Sequence, residues 1–237
     1  MTLYYKTKIE NEKIILVNQD FYKKSGDMIE LFILEEKKAF SHNFEYRFSK
    51  KGKHIIKLKF QNYIEMERMF DECKSLLKVE GTLKSKSDNF YGMFRNCLFL
   101  KEISYLKLET SNKDGLSFNF NSMFCNCSLL KNIDEFQFSN IKVGNSDLMF
   151  KDCSSLQNLN VLIKLNTSNM TSLTEVFKNC SSLESLSFLK EWNASGVKYF
   201  NNIFEGCSSI QNLDDLKEWN ILNAIELKGL FKNCSSL

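Results

Sequence analysis

Apolar positions in the second half of the chain fall at fixed steps. Phe177, Cys180 and Leu183 stand three apart, Val176 precedes the Phe, and the polar Lys178, Asn179, Ser181 and Ser182 fill the gaps. The same spelling recurs at Phe70-Cys73-Leu76, Phe94-Cys97-Leu100, Phe124-Cys127-Leu130, Phe150-Cys153-Leu156, Phe204-Cys207-Ile210 and Phe231-Cys234-Leu237, which makes seven copies. The intervals between the seven Cys are 24, 30, 26, 27, 27 and 27 residues. A period of this size marks units that bury their apolar faces only by stacking on one another. Residues such as Lys113-Asp114-Gly115 swell a loop in the uneven second interval.

Two elements are predicted inside each copy. Leu173, Val176 and Phe177 fall at i, i+3 and i+4, as do Phe200, Ile203 and Phe204, and this spacing places three apolar side chains on one face of a short helix. After the Cys, Leu183 and Leu186 predict a bend followed by a brief strand, with Ser187 facing out and Phe188 in. The residue after the second Leu position forms a column, Glu80, Ser104, Asp134, Asn160, Ser187 and Asp214, which is either the solvated side of a sheet or a mildly acidic binding face. Asn193 and Asn220, each after a Trp, suit a turning backbone.

Residues 1–60 lack the phrase and read as a β-rich N-terminal capping region. Leu3, Tyr5, Thr7 and Ile9 alternate with Lys6 and Lys8 as in a half-buried strand, and Ile14 to Val17 predicts a second strand paired with it through the Glu10 to Lys13 turn. Met28 to Leu34 reads as a further strand after the Ser25-Gly26-Asp27 turn. Phe44, Tyr46 and Phe48, then Ile56, Leu58 and Phe60, predict a hairpin across Lys51-Gly52.

Composition excludes several classes. An apolar fraction of 43% argues against a disordered chain, and no apolar run is long enough for a transmembrane helix. The start carries Glu10, Glu12 and Lys13 where a signal peptide has its apolar core, which favours an intracellular location. A net charge of +3 does not point to nucleic acid. Residues 1–60 hold 13 basic against 8 acidic side chains, with a cluster at Arg47, Lys50, Lys51, Lys53, Lys57 and Lys59 that reads as a charged strand edge and turn, the alternative being a patch for an acidic partner or phosphate.

Of eight Cys, only Cys125 stands outside the phrase, and the apolar residues three before and three after the others favour free, buried thiols. No metal or cofactor is predicted: there is no CxxC, and His42 and His54, read as surface strand residues, are far from the Cys. Sequons at Asn126, Asn179 and Asn233 abut the Cys, where a glycan would obstruct stacking. Without a phosphate loop, a nucleophile elbow or HExxH, no enzyme is expected.

Phe-x-x-Cys-Ser-Ser-Leu-x-x-Leu, followed by Asn-Thr-Ser-Asn-Met-Thr-Ser-Leu at 166–173, resembles the BspA-like leucine-rich repeats of bacterial and protist surface proteins. The resemblance covers residues 61–237. It implies an α/β solenoid, a right-handed superhelix of short parallel strands and short return helices, and a role in adhesion or protein binding, with surface exposure. The expected function is a non-enzymatic protein-binding or adhesion module presenting an extended repeat surface, the alternative being a structural scaffold subunit of a larger assembly. A protein partner or assembly neighbour is expected, with contact at the C-terminal end, where the last phrase closes on Leu237.

Overall fold

Alternation at the N-terminus does give a strand: β1 (Thr2–Thr7) buries Leu3, Tyr5 and Thr7 on one face. The computed structural model describes residues 1–25, 28–34, 36, 38–40, 44–110, 117–137 and 141–237, so the expectations for Gly26, Asp27, His42 and the loop at Lys113-Asp114-Gly115 lie outside the described residues. After β1 come β2 (Lys13–Ile15), the helix α1 (Gln19–Ser25), β3 (Ile29–Ile33), β4 (Lys38–Phe40), β5 (Glu45–Arg47) and β6 (Gly52–Phe60). Two longer strands follow, β7 (Leu76–Ser85) and β8 (Glu102–Thr110), then the short β9 (Ser117–Asn119) and β10 (Lys142–Asn145).

These strands assemble one mixed six-stranded sheet in the order β4-β3-β6-β1-β7-β8, antiparallel except for the parallel pair β7 and β8. Four N-terminal strands and the first two copies of the phrase therefore share a single sheet, while β2 and β5 form a separate pair. Two predicted pairings are corrected. β2 pairs with β5 rather than with β1, and β6 lies between β1 and β3 rather than in a hairpin with β5. The physical reason is the reach of β6: its buried Ile56 and Leu58 suit a central strand, whereas period-two alternation says which face is inward and nothing about the neighbour.

The predicted leucine-rich-repeat solenoid is overturned by the elements themselves. Among the described residues α1 is the only α-helix, and no array of strand-plus-helix units follows the sheet. The places predicted as short strands are strands only in the first two copies, in β7 and β8, and are 3-10 helices at Asn160–Lys164, Ser187–Leu189 and Asp214–Leu216. The predicted return helices are strings of four-residue turns. In the first copy Met69 N–H donates to Met66 O, Asp71 N–H to Arg68 O, Cys73 N–H to Phe70 O and Leu76 N–H to Cys73 O, at 3.0–3.2 Å.

Backbone handedness explains why no helix forms. The residue two before each Phe and the residue two after it lie in the left-handed region: Arg68 and Glu72, Gly92 and Asn96, Ser122 and Asn126, Leu148 and Asp152, Glu175 and Asn179, Asn202 and Gly206, Gly229 and Asn233, with φ from 55° to 76°. A right-handed helix cannot run through such residues. Asn, Asp and Gly dominate the second position because they tolerate this conformation. At Gly206 space is also limiting, since a Cβ there would stand 2.3 Å from Asn179 Oδ1.

What recurs is side-chain register. The Phe rings of consecutive copies stack, Phe70 on Phe94 at 5.4 Å, Phe124 on Phe150 at 5.5 Å and Phe204 on Phe231 at 5.6 Å, with interplanar angles of 10° or less. From Cys97 to Cys234 each ladder thiol donates to the carbonyl of the Phe one copy earlier, as Cys97 Sγ does to Phe70 O at 3.0 Å and Cys180 Sγ to Phe150 O at 3.1 Å. Phe70 to Phe204, Cys73 to Cys207 and Leu76 to Ile210 are buried in one continuous core, while Phe231 and Cys234 are only partly covered and Leu237 is exposed.

Candidate functional site

The turn strings give the ladder a direction. At every junction between copies three amides donate forward to three carbonyls: Phe70 N–H to Met93 O with Arg68 N–H to Tyr91 O and Glu72 N–H to Arg95 O at the first, and Phe204 N–H to Leu230 O with Asn202 N–H to Lys228 O and Gly206 N–H to Lys232 O at the last. The distances are 2.7–3.0 Å throughout. Each copy thus shows acceptors to the one before and donors to the one after.

The acceptor end is covered by the chain itself. Asn18 N–H bonds Met69 O at 2.8 Å and Asn18 Nδ2 donates to Asp71 O at 3.3 Å, while Asn18 Oδ1 accepts from Asp20 and Phe21 N–H at the start of α1. The donor end is open. Gly229, Phe231 and Asn233 repeat the positions of Asn202, Phe204 and Gly206, and their amides have no partner among the described residues.

Beside these amides lies an apolar groove of about 270 Å³ lined by Phe200, Phe204, Leu213, Leu216, Trp219, Ile221, Leu227, Leu230 and Phe231, with Lys217 as its one charged member. Leu222 is 90% exposed, Ile225 65% and Leu227 45%, whereas Phe200 one copy earlier is buried. Trp219 is held by its indole N–H on Leu189 O at 3.1 Å, the bond that Trp192 makes to Leu162 O.

A column of charges, broken at Cys125, runs to this end on the residue after each Phe. Asp71, fully buried, takes Arg95 in a fork at 3.0 and 2.7 Å and Arg68 Nε at 2.8 Å. At the other end Lys178 meets Glu205 at 2.8 Å and Lys232 meets Glu205 at 2.9 Å, and Glu175 bridges Lys151 and Lys178. Hydrogen bonds from Lys178 and then Lys232 draw the Glu205 carboxyl down to about 2. Sequence reasoning missed this column, although the alternating Lys178, Glu205 and Lys232 at a 27-residue period was a readable signal.

The predicted column passes through different local structures, although Ser187 Oγ stands 3.5 Å from Asn160 Oδ1 and Asn158 Nδ2 3.4 Å from Asp134 Oδ2. Glu80 on β7 and Ser104 on β8 are in register, but Ser104 is buried and bonded to Glu102, and the Glu80 carboxylate is held by Tyr4 Oη at 2.6 Å. Asp134 lies in an exposed turn, and Asn160, Ser187 and Asp214 open the three 3-10 helices. With a mixed sheet, turns and 3-10 helices of a compact α/β fold in place of a repeated surface-presenting array, the adhesion module with an extended repeat surface and its scaffold alternative are both corrected.

The thiols are inert by position. Burial pushes the Cys207 thiol up to about 12 and those of Cys73, Cys97, Cys127, Cys153 and Cys180 well above the ordinary range, and all eight Cys are free. Cys125 is half-buried and its thiol is also raised, chiefly by burial. His54 is corrected from a surface residue to a buried one, stacked on Phe48 at 3.7 Å with Nε2 2.9 Å from Thr7 Oγ1. Among the described residues no group of three His, Cys, Asp or Glu is placed to hold a metal ion, and no helix is long and apolar enough to cross a membrane. In the basic cluster Arg47 bonds Asn11 O and Lys59 pairs with Glu30 at 3.4 Å, on the exposed edge and turn beside β6.

Residues 37–160 and 144–237 both match the family described as Mycoplasma protein of unknown function, DUF285. No curated protein and no solved structure matches the chain. The resemblance to BspA-like leucine-rich repeats gives way to this match, in line with a mixed-sheet fold that lacks the strand-and-helix unit. Since the matched segments together span most of its length, the chain belongs to the DUF285 family.

Proposed function

We propose that the protein works without catalysis, by binding a protein partner at its C-terminal end. The observation that carries this reading is an apolar groove lined by Leu213, Leu216, Trp219, Ile221, Leu227 and Leu230, with Leu222 and Ile225 exposed in the same copy. Apolar side chains exposed together beside polar rims mark interaction surfaces more often than scattered ones do. The high thiol pKa values and the internal bonding of His54 support the non-catalytic half, because nucleophiles and general bases need the opposite tuning.

A photo-crosslinking side chain placed at Leu227 and, separately, at Ser187 tests the reading in the cells that make the protein. A discrete adduct from position 227 only, lost when Leu222 and Ile225 are both changed to Lys, is expected. Equal labelling from both positions, or an adduct indifferent to the two Lys, would sink it.

A further inference from the structure

The turn that leads into β6 gathers positive charge which the fold leaves unmatched. Lys6 stands directly opposite Lys53 in the pairing of β1 with β6, and like charges so placed repel. Lys13 and Lys59 are matched by Glu45 and Glu30, whereas Lys6, Lys50, Lys51 and Lys53 are exposed and make no ion pair among the described residues. From this turn, and independently of the docking groove, we infer a second site: residues 49–54 bind a phosphate monoester.

Three observations carry the assignment. First, a cavity of about 370 Å³ is lined by Ser49, Lys50, Lys51, Lys53 and His54, with Glu36 as the one acid on its wall. That size suits a small phosphorylated molecule or a phosphate headgroup. The Glu36 carboxylate already accepts from Tyr46 Oη. Second, the successive amides of Ser49, Lys50 and Lys51 have no partner among the described residues, and such a run in a turn is a recurrent element of anion sites. Third, the turn is fixed in advance, which lowers the ordering cost of binding. The buried Thr7 hydroxyl accepts Gly52 N–H at 3.1 Å and donates to Lys50 O at 3.2 Å, and Phe48 O accepts Asn11 N–H at 2.9 Å. His54, stacked on Phe48, holds Nε2 2.9 Å from Thr7 Oγ1. Several ammonium groups together with backbone donors suit a tetrahedral dianion better than a flat, singly charged carboxylate.

The test follows the amide resonances of the full chain while inorganic phosphate, glycerol phosphate or acetate is added at constant ionic strength. Saturable shifts at Ser49, Lys50 and Lys51 with both phosphates and not with acetate are expected, and binding about tenfold weaker in the Lys50→Gln/Lys51→Gln variant. Both side chains are exposed, so this variant keeps the fold, and Lys59→Gln, outside the cavity, is expected to bind as the parent does. Flotation with vesicles containing phosphatidic acid separates two sources of the phosphate. Retention that the double variant loses assigns a lipid headgroup, while no retention with glycerol phosphate bound assigns a soluble ester. Equal shifts with acetate, equal binding by the double variant, or no shift at millimolar phosphate would overturn the site. The crosslink from position 227 is indifferent to all of these results.

Discussion

Cys180 Sγ donates to Phe150 O at 3.1 Å, and the same carbonyl also accepts the N–H of Cys153 at 3.1 Å. The thiol is therefore a second donor to an already bonded oxygen, in a site with no exposed surface. Cys180→Ser keeps a donor of the right kind and loses mainly apolar fit, so its cost is about 1–2 kcal/mol. Cys180→Leu adds volume between two stacked copies and costs more, about 2–3 kcal/mol. Urea denaturation of the two variants checks the order, and a Leu variant as stable as the parent would remove the tight fit assigned to this position.

Asp71 is the buried hub of the first junction, with Arg68 and Arg95 on it and no exposed surface of its own. Asp71→Asn cannot satisfy the Arg95 fork and leaves two guanidiniums facing an amide, for a loss of about 2–3 kcal/mol. Arg68→Gln removes one bond and leaves the fork, so its loss is smaller, about 1 kcal/mol. Thermal melts of both variants test the ranking.

Ser146 stands where neighbouring copies have Phe120 and Leu173, and its buried hydroxyl has no hydrogen-bond partner among the described residues. Ser146→Ala removes an unpaired polar group from the core and raises stability by about 1 kcal/mol. A lower denaturation midpoint for the Ala variant would show that the hydroxyl is bonded after all.

The Glu205 carboxyl sits at about 2 against an ordinary value of 4.5, because Lys178 and Lys232 hold its charged form. A carboxylate depressed in the folded state favours folding above its unfolded value, and that contribution is lost as pH falls through the folded value. The loss accordingly runs from about pH 4.5 down to about pH 2. Glu205→Gln is expected to flatten the stability profile across this window and to leave the slope above pH 6 unchanged.

The phrases were legible as stacked Phe and Cys, buried in the first six copies, because a three-residue spacing of apolar letters survives any backbone that turns every few residues. That tolerance is also why the helix was misread. Linked turns with bonds from residue i to i+3 bring Leu173, Val176 and Phe177 to one side as a helix would. The distinguishing signal was the left-handed position two after the Phe, spelled Asn96, Asn126, Asp152, Asn179, Gly206 and Asn233. Its counterpart two before the Phe holds Leu148 and Glu175, residue types that give no hint of positive φ. The cover over the acceptor end was hidden for another reason. Asn18 lies 51 residues before Met69, and nothing in its local pattern points to a carbonyl that distant.

Amide hydrogen exchange of the isolated full chain, resolved to single residues, tests the directional ladder most directly. Phe70, Phe94, Phe124, Phe150, Phe177 and Phe204 each donate to the following copy, and Phe231 repeats their position without an acceptor. Slow exchange at the first six amides and fast exchange at Phe231 is the predicted result, and a Phe231 amide as slow as that of Phe204 in the monomeric chain would contradict the open donor end.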